Sequence, residues 1–153
     1  MSERKPDVLP IGRQVALTAK ALAYAFNAAL VEAGGSLPIW LVLSSLERDQ
    51  WRTQHELARS LGIEGPTLTR HLDALEQMGL VARRRDETDR RAVKVETTEA
   101  GRALYRDLLR AAIAFDKRLR TGLDQSELDQ LRALLLRLEG NLGPGFAVAP
   151  RQM

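Results

Sequence analysis

Between residues 83 and 94 the chain sets Arg83, Arg84, Arg85, Arg90, Arg91 and Lys94 against Asp86, Glu87 and Asp89, six cations to three carboxylates. On a two-stranded ribbon, arginines at the tip suit a minor groove, where phosphates focus negative potential and Arg is attracted by shape as much as by sequence. An arginine run can equally be a solvated face. A second polar set lies upstream, where Pro66, Thr67, Thr69 and Arg70 fall on the outer side of a short helix. The first turn of such a helix offers free backbone N–H groups, to which the two threonines add hydroxyls for a phosphate or a base edge. Arg70 could take a guanine through O6 and N7, or a phosphate. Catalysis has no comparable support, because no nucleophile and base, phosphate-cradling Gly loop or metal-ligand spacing is evident. With His55 and His71 as the two histidines and no cysteine, neither a metal, a cofactor nor a thiol switch is expected.

These residues need elements to hold them. Thr53 and Glu56 form a capping box that starts a helix, Leu57, Ala58 and Leu61 give it an apolar face, and Gly62 fits a left-handed end. A second helix begins at Gly65-Pro66, with Gly as cap and Pro at the first helical position. Its stripe Leu68, Leu72, Leu75 faces a core, which at about 100° per residue turns Pro66, Arg70, Asp73 and Gln77 outward, with Thr69 on the shoulder. His71 is expected at the edge of the packed face, and His55 in solvent or near a phosphate. Gly79 ends the helix, Leu80-Val81-Ala82 opens a strand, and Val93, Val95 and Thr97 alternate with Lys94 and Glu96 on the return strand. Two short helices, a basic hairpin and a following helix cap are the layout of a winged helix-turn-helix.

The run GLVARRRDETDRRAVKVETTEAG resembles the wing of the MarR family of bacterial transcription regulators, which carries Asp-x-x-Asp-x-Arg before a Leu-Thr-x-x-Gly helix start. Asp86, Asp89 and Arg91 match the first pattern and Thr98 to Gly101 the second, while Thr97 stands where the family has Leu. The resemblance implies that Arg91 enters the minor groove and that Asp89 holds it in place, while a place in a hairpin behind a helix-turn-helix points to DNA contact by Arg84, Arg85 and Arg90. It also implies a dimer through the first and last helices. A small aromatic or phenolic effector would release the DNA from a pocket between those helices and the reading unit. The specific pattern covers about a third of the chain.

The rest of the chain is consistent with this layout. At 153 residues it is one unit, and its net charge of +3 is weaker evidence than the clustering of cations in the wing. Val15, Ala19, Leu22, Phe26, Ala29 and Ala33 form one heptad seam. A second runs through Leu128, Leu131, Leu135, Leu138 and Leu142, behind a capping box of Asp124 and Glu127 and a hydrophobic staple of Leu123 and Leu128. The expected fold is mainly α with a two- or three-stranded β wing. A winged helix-turn-helix over 36–97 is flanked by dimerisation helices over 11–35 and 98–142 and by flexible ends at 1–10 and 143–153. The expected interface set is Val15, Leu22, Phe26, Leu128, Leu131, Leu135, Leu138 and Leu142. Tyr24, Trp40, Trp51 and Phe115 could line an effector pocket, or serve as plain core. No run of about 18 apolar residues occurs, so a soluble, cytoplasmic homodimer without membrane contact is expected. The expected activity is repression from an inverted-repeat duplex operator; the alternative is a winged helix that binds protein.

Overall fold

The structure, a computed structural model, describes residues 9–48 and 53–143. The expected flexible ends fall almost wholly outside these residues. Among the described residues the order is α1 (Ile11–Glu32), α2 (Leu37–Arg48), α3 (Gln54–Leu61), α4 (Gly65–Gln77), β1 (Val81–Arg85), β2 (Val93–Thr97), α5 (Glu99–Leu119) and α6 (Gln125–Gly140). This is a mainly α chain with a two-stranded antiparallel wing.

Local chemistry sets the boundaries. At α3 the Thr53 hydroxyl accepts from the Glu56 N–H at 3.1 Å and the Glu56 carboxylate accepts from the Thr53 N–H at 3.0 Å, so two orphan donors are satisfied reciprocally. Asp124 and Glu127 repeat the device at α6, at 2.9 and 2.8 Å. Gly62, at φ 64°, closes α3 in the left-handed region. Helix α4 starts at the expected cap, Gly65, one residue early, since Glu64 is its N-cap and Pro66 its second helical residue. The missing N–H of Pro is still harmless there, because first-turn donors have no intrahelical partner.

Helix α2 is the hub, packed against α1, α3, α4, α5 and β2. Val42 and Leu43 of α2 are buried with Leu57 of α3, Leu68, Leu72 and Leu75 of α4, Val81 and Val95 of the wing, Leu30 of α1 and Leu108 of α5. At about 1.5–3 kcal/mol for each fully buried leucine, the stripe of α4 alone makes a large contribution to fixing that helix. The first and second helices are also joined by a hydrogen bond, as the Asn27 side chain accepts from the Leu37 N–H at 2.8 Å.

The terminal helices differ from this pattern. Helix α6 makes no substantial packing contact with any other element among the described residues and has no buried residue, although Leu131, Leu134, Leu135 and Leu136 are exposed on it and Leu142 just beyond its end. By length and hydropathy α1 could cross a membrane, a property that counting uninterrupted apolar runs overlooks. Its inner end nevertheless belongs to the core through Leu30 and Phe26.

Candidate nucleic-acid interface

Intramolecular bonds already occupy one flank of α4. The Thr69 hydroxyl donates to the Gly65 carbonyl at 3.0 Å and accepts from the Gln54 amide at 2.8 Å, which ties the start of α3 to the start of α4. Thr69 is therefore a poorer DNA contact than its spacing predicts, because its one hydroxyl proton is spent on the main chain. Asp73 and Glu76 are engaged by Arg83 of the wing. At about 100° per residue these three positions share a flank, which leaves Pro66, Thr67, Arg70 and Gln77 as the available face. Pro66 and Arg70 are exposed, and Arg70 has no ion-pair partner among the described residues. His71 is half-buried, as an edge-packing residue should be, and His55 is exposed. Glu64 makes no side-chain capping bond, so its carboxylate does not take up the first-turn N–H groups of α4.

In the wing, Val81 pairs with Thr97, Arg83 with Val95 and Arg85 with Val93. Strand alternation puts Val81, Arg83 and Arg85 on the face shared with Val93, Val95 and Thr97. Only the base of that face is buried, at Val81 and Val95. Arg83 folds onto α4: its Nη2 donates to Asp73 at 2.5 Å and to Glu76 at 2.6 Å, its Nε to Glu76 at 3.0 Å, and its main-chain N–H to Glu76 at 3.3 Å. Hydrogen bonds from Arg83 hold the Glu76 carboxyl below its ordinary range, and Glu76 in turn raises Arg83. Arg84 approaches Glu96 at 3.8 Å and Lys94 approaches Asp86 at 3.4 Å. Among the described residues Arg85, Arg90 and Arg91 are left without an ion-pair partner, and Arg85, Arg90 and Arg91 are all exposed.

The loop between the strands is shaped by its two aspartates. Asp86 accepts from both the N–H and the hydroxyl of Thr88, at 2.9 and 2.8 Å, which lowers its pKa from 3.8 to about 2. Asp89 accepts from the Arg91 N–H at 3.0 Å, while its carbonyl accepts from Ala92 at 2.9 Å. Asp89 thus fixes Arg91 through the main chain and leaves the guanidinium free.

Where α1, α2 and α5 meet, aromatic rings form a chain. Phe26 lies 5.1 Å from Phe115 and 6.2 Å from Trp40, and Trp40 stacks on Tyr105 at 5.8 Å. Of the expected pocket residues, Trp40 and Phe115 are joined here through Phe26. Tyr24 is 81% exposed and belongs to no such group, and Trp51 lies outside the described residues. Phe26, expected at a dimer seam, makes these ring contacts within its own chain. Val15, Leu22, Leu128 and Leu138 are half-covered, whereas Leu131, Leu135 and Leu142 are exposed. On α1 the exposed apolar residues Leu17, Tyr24 and Val31 repeat every seven positions, so the uncovered stripe is rotated away from the predicted seam.

A family model described as MarR family matches residues 36–93. The transcriptional regulator PA3341 has a structure with TM-score 0.74 and 39% identity, over 87% of this chain and 98% of that one. The chain belongs to the MarR family. It is a DNA-binding transcriptional regulator. The repressor CouR bound to a 23-mer DNA duplex is 28% identical with TM-score 0.79, over 90% of this chain and 99% of that one. CouR from Rhodococcus jostii RHA1 bound to p-coumaroyl-CoA is 26% identical with TM-score 0.73, over 94% of each chain.

The MarR-type helix start now has a physical reason. The Thr98 hydroxyl accepts from the Gly101 N–H at 3.1 Å and donates to the Gly79 carbonyl at 2.6 Å, while the Thr98 N–H donates to Leu80 at 3.1 Å. The start of α5 is thereby docked on the end of α4. Three residues that matter here were absent from the predicted site: Gln54, Tyr105 and Arg83. For Arg83 a signal existed, since alternation from Val81 places it on the covered face of the strand.

Proposed function

We propose that two copies of this MarR-family chain form a C2 dimer that represses transcription by reading an inverted repeat, with half-site centres about 10 base pairs apart. The unit from α2 to β2 reads the DNA, and α1, α5 and α6 build the dimer. The observation that carries this reading is the distribution of ion pairs: Arg70 of α4 and Arg85, Arg90 and Arg91 of the wing are uncommitted, while the other hairpin cations have acidic neighbours. Arg70 and Thr67 then face the major groove and Arg91 the minor groove, with Arg85 and Arg90 on phosphates. Arg84, shared with Glu96, and Thr69, shared with Gln54, contribute less.

The exposed apolar residues of α1 and α6 support the dimer, since a partner helix covers them better than water does. The same cover explains the hydropathy of α1 in a regulator that works beside the chromosome in the cytoplasm. The rings of Phe26, Trp40, Tyr105 and Phe115 suit an aromatic or phenolic effector; the ligand of CouR carries a phenolic acyl group on coenzyme A. An effector acts by binding more tightly to a dimer whose recognition helices no longer match the operator.

Selection of bound duplexes from a random pool tests the whole reading. Enrichment of one inverted repeat is the expected result, and failure to enrich any duplex would exclude sequence-specific reading.

A further inference from the structure

Arg83 stands at the boundary between the anchored base of the wing and its free end. Below it Val81 is buried, across from it Val95 is buried, and beyond it Arg84 and Arg85 are exposed. A two-stranded hairpin is marginal without packing against another element, and Arg83 reaches the body of the protein from the middle of β1. Its fork engages Glu76 twice and Asp73 once, and its own N–H adds a further bond to Glu76. We propose that Arg83 is a positioning residue that clamps the wing to the recognition helix and so fixes the distance between Arg70 and Arg91 before DNA arrives.

Charge distinguishes this role from that of an ordinary DNA contact. One guanidinium between two carboxylates leaves the group with net negative charge, which repels phosphate. What Arg83 contributes to binding is therefore geometric: a wing already in register loses less freedom when it enters a groove. A planar fork held by two acids resists sliding in a way that a single point charge does not. Asp73 and Glu76 are half exposed and the Arg83 side chain is 23% exposed, so the clamp adds little to global stability and much to local order.

The test uses the full chain, and it rests on the DNA-reading function proposed above. Arg83→Gln and Glu76→Ala open the clamp from opposite sides, so an effect shared by both cannot come from one misfolded variant. Binding is measured on the duplex enriched by the unmodified protein and on a scrambled duplex, across a range of salt. The expected result is a loss of about five- to tenfold in affinity for the enriched duplex, with an unchanged slope of log K against log salt. The double variant should be no weaker than Arg83→Gln alone. In the DNA-free protein, backbone relaxation should show faster motion of residues 86–92 in both variants. A slope reduced by about one unit per half-site would make Arg83 a phosphate ligand and overturn the proposal. So would unchanged affinity for the enriched duplex, or unchanged relaxation. If the unmodified protein enriches no duplex, the DNA-reading function fails, while the relaxation measurement still decides whether the clamp exists.

Discussion

Gly101 approaches Leu80 so closely that a Cβ on it would lie 2.0 Å from the Leu80 carbonyl oxygen. That oxygen also accepts from the Thr98 N–H at 3.1 Å, so it cannot retreat without breaking the bond that docks α5. Gly101→Ala is expected to destabilise the fold by about 2–4 kcal/mol, from overpacking plus the lost hydrogen bond. Urea unfolding monitored by helical circular dichroism measures it. A change below about 0.5 kcal/mol would mean that the α5 start can shift freely, contrary to the packing described.

Thr69→Val keeps shape but removes the bonds to Gly65 and Gln54. The expected cost is about 1 kcal/mol of stability, typical of one net hydrogen bond with a partner left wanting. Because Thr69 is occupied internally, the salt dependence of DNA binding should not change. Titrating the variant with duplex at several ionic strengths checks this, and a flatter slope would restore Thr69 as a phosphate contact.

Among the wing arginines, Arg91 is free and Arg84 is shared with Glu96 at 3.8 Å. Arg91→Ala should flatten the slope of log K against log salt by about one unit per half-site, and Arg84→Ala by less. Equal losses from both would show that the Glu96 pairing does not survive on DNA. The comparison requires only fluorescence anisotropy with one labelled duplex.

Asp86 is held at about 2 chiefly by the Thr88 N–H, then by the Thr88 hydroxyl and Lys94. Its folded pKa lies below the ordinary value of 3.8, so its contribution to wing order is complete above that value. The contribution is lost as pH falls from there through about 2. The Thr88 amide resonance should therefore titrate near the lower value and stay constant at neutral pH. Thr88→Val keeps the N–H and removes only the hydroxyl, so it should move the Asp86 midpoint part of the way upward; no movement would assign the shift to the main-chain N–H and Lys94.

How much of this was legible in the sequence follows from the range of each interaction. Capping boxes at Thr53 and Asp124, the left-handed Gly62 and the α4 stripe depend on residues within one or two turns, and all were readable. The bonds from Gln54 to Thr69 and from Arg83 to Asp73 span fifteen and ten positions, so they appear only when two elements are placed side by side. On α1, Ala and Leu recur at more than one heptad phase. Sequence period alone does not say which phase its own chain covers. Within one chain Phe26 packs against Trp40 and Phe115, while Tyr24 is exposed.

The exposed leucines of α6 provide the last test. In one chain Leu135 faces solvent, where an acidic side chain costs almost nothing, and α6 has no substantial neighbour to disturb. In a dimer the same position would bury an unpaired carboxylate in each copy, at a cost of several kcal/mol. Leu135→Glu should therefore leave helical content intact while shifting sedimentation from dimer to monomer at micromolar concentration. Operator binding should fall with it, since a single reading unit loses the second half-site and the spacing that the dimer imposes. If the unmodified chain sediments as a monomer over that range, the leucines need another cover and the paired geometry of the readers fails.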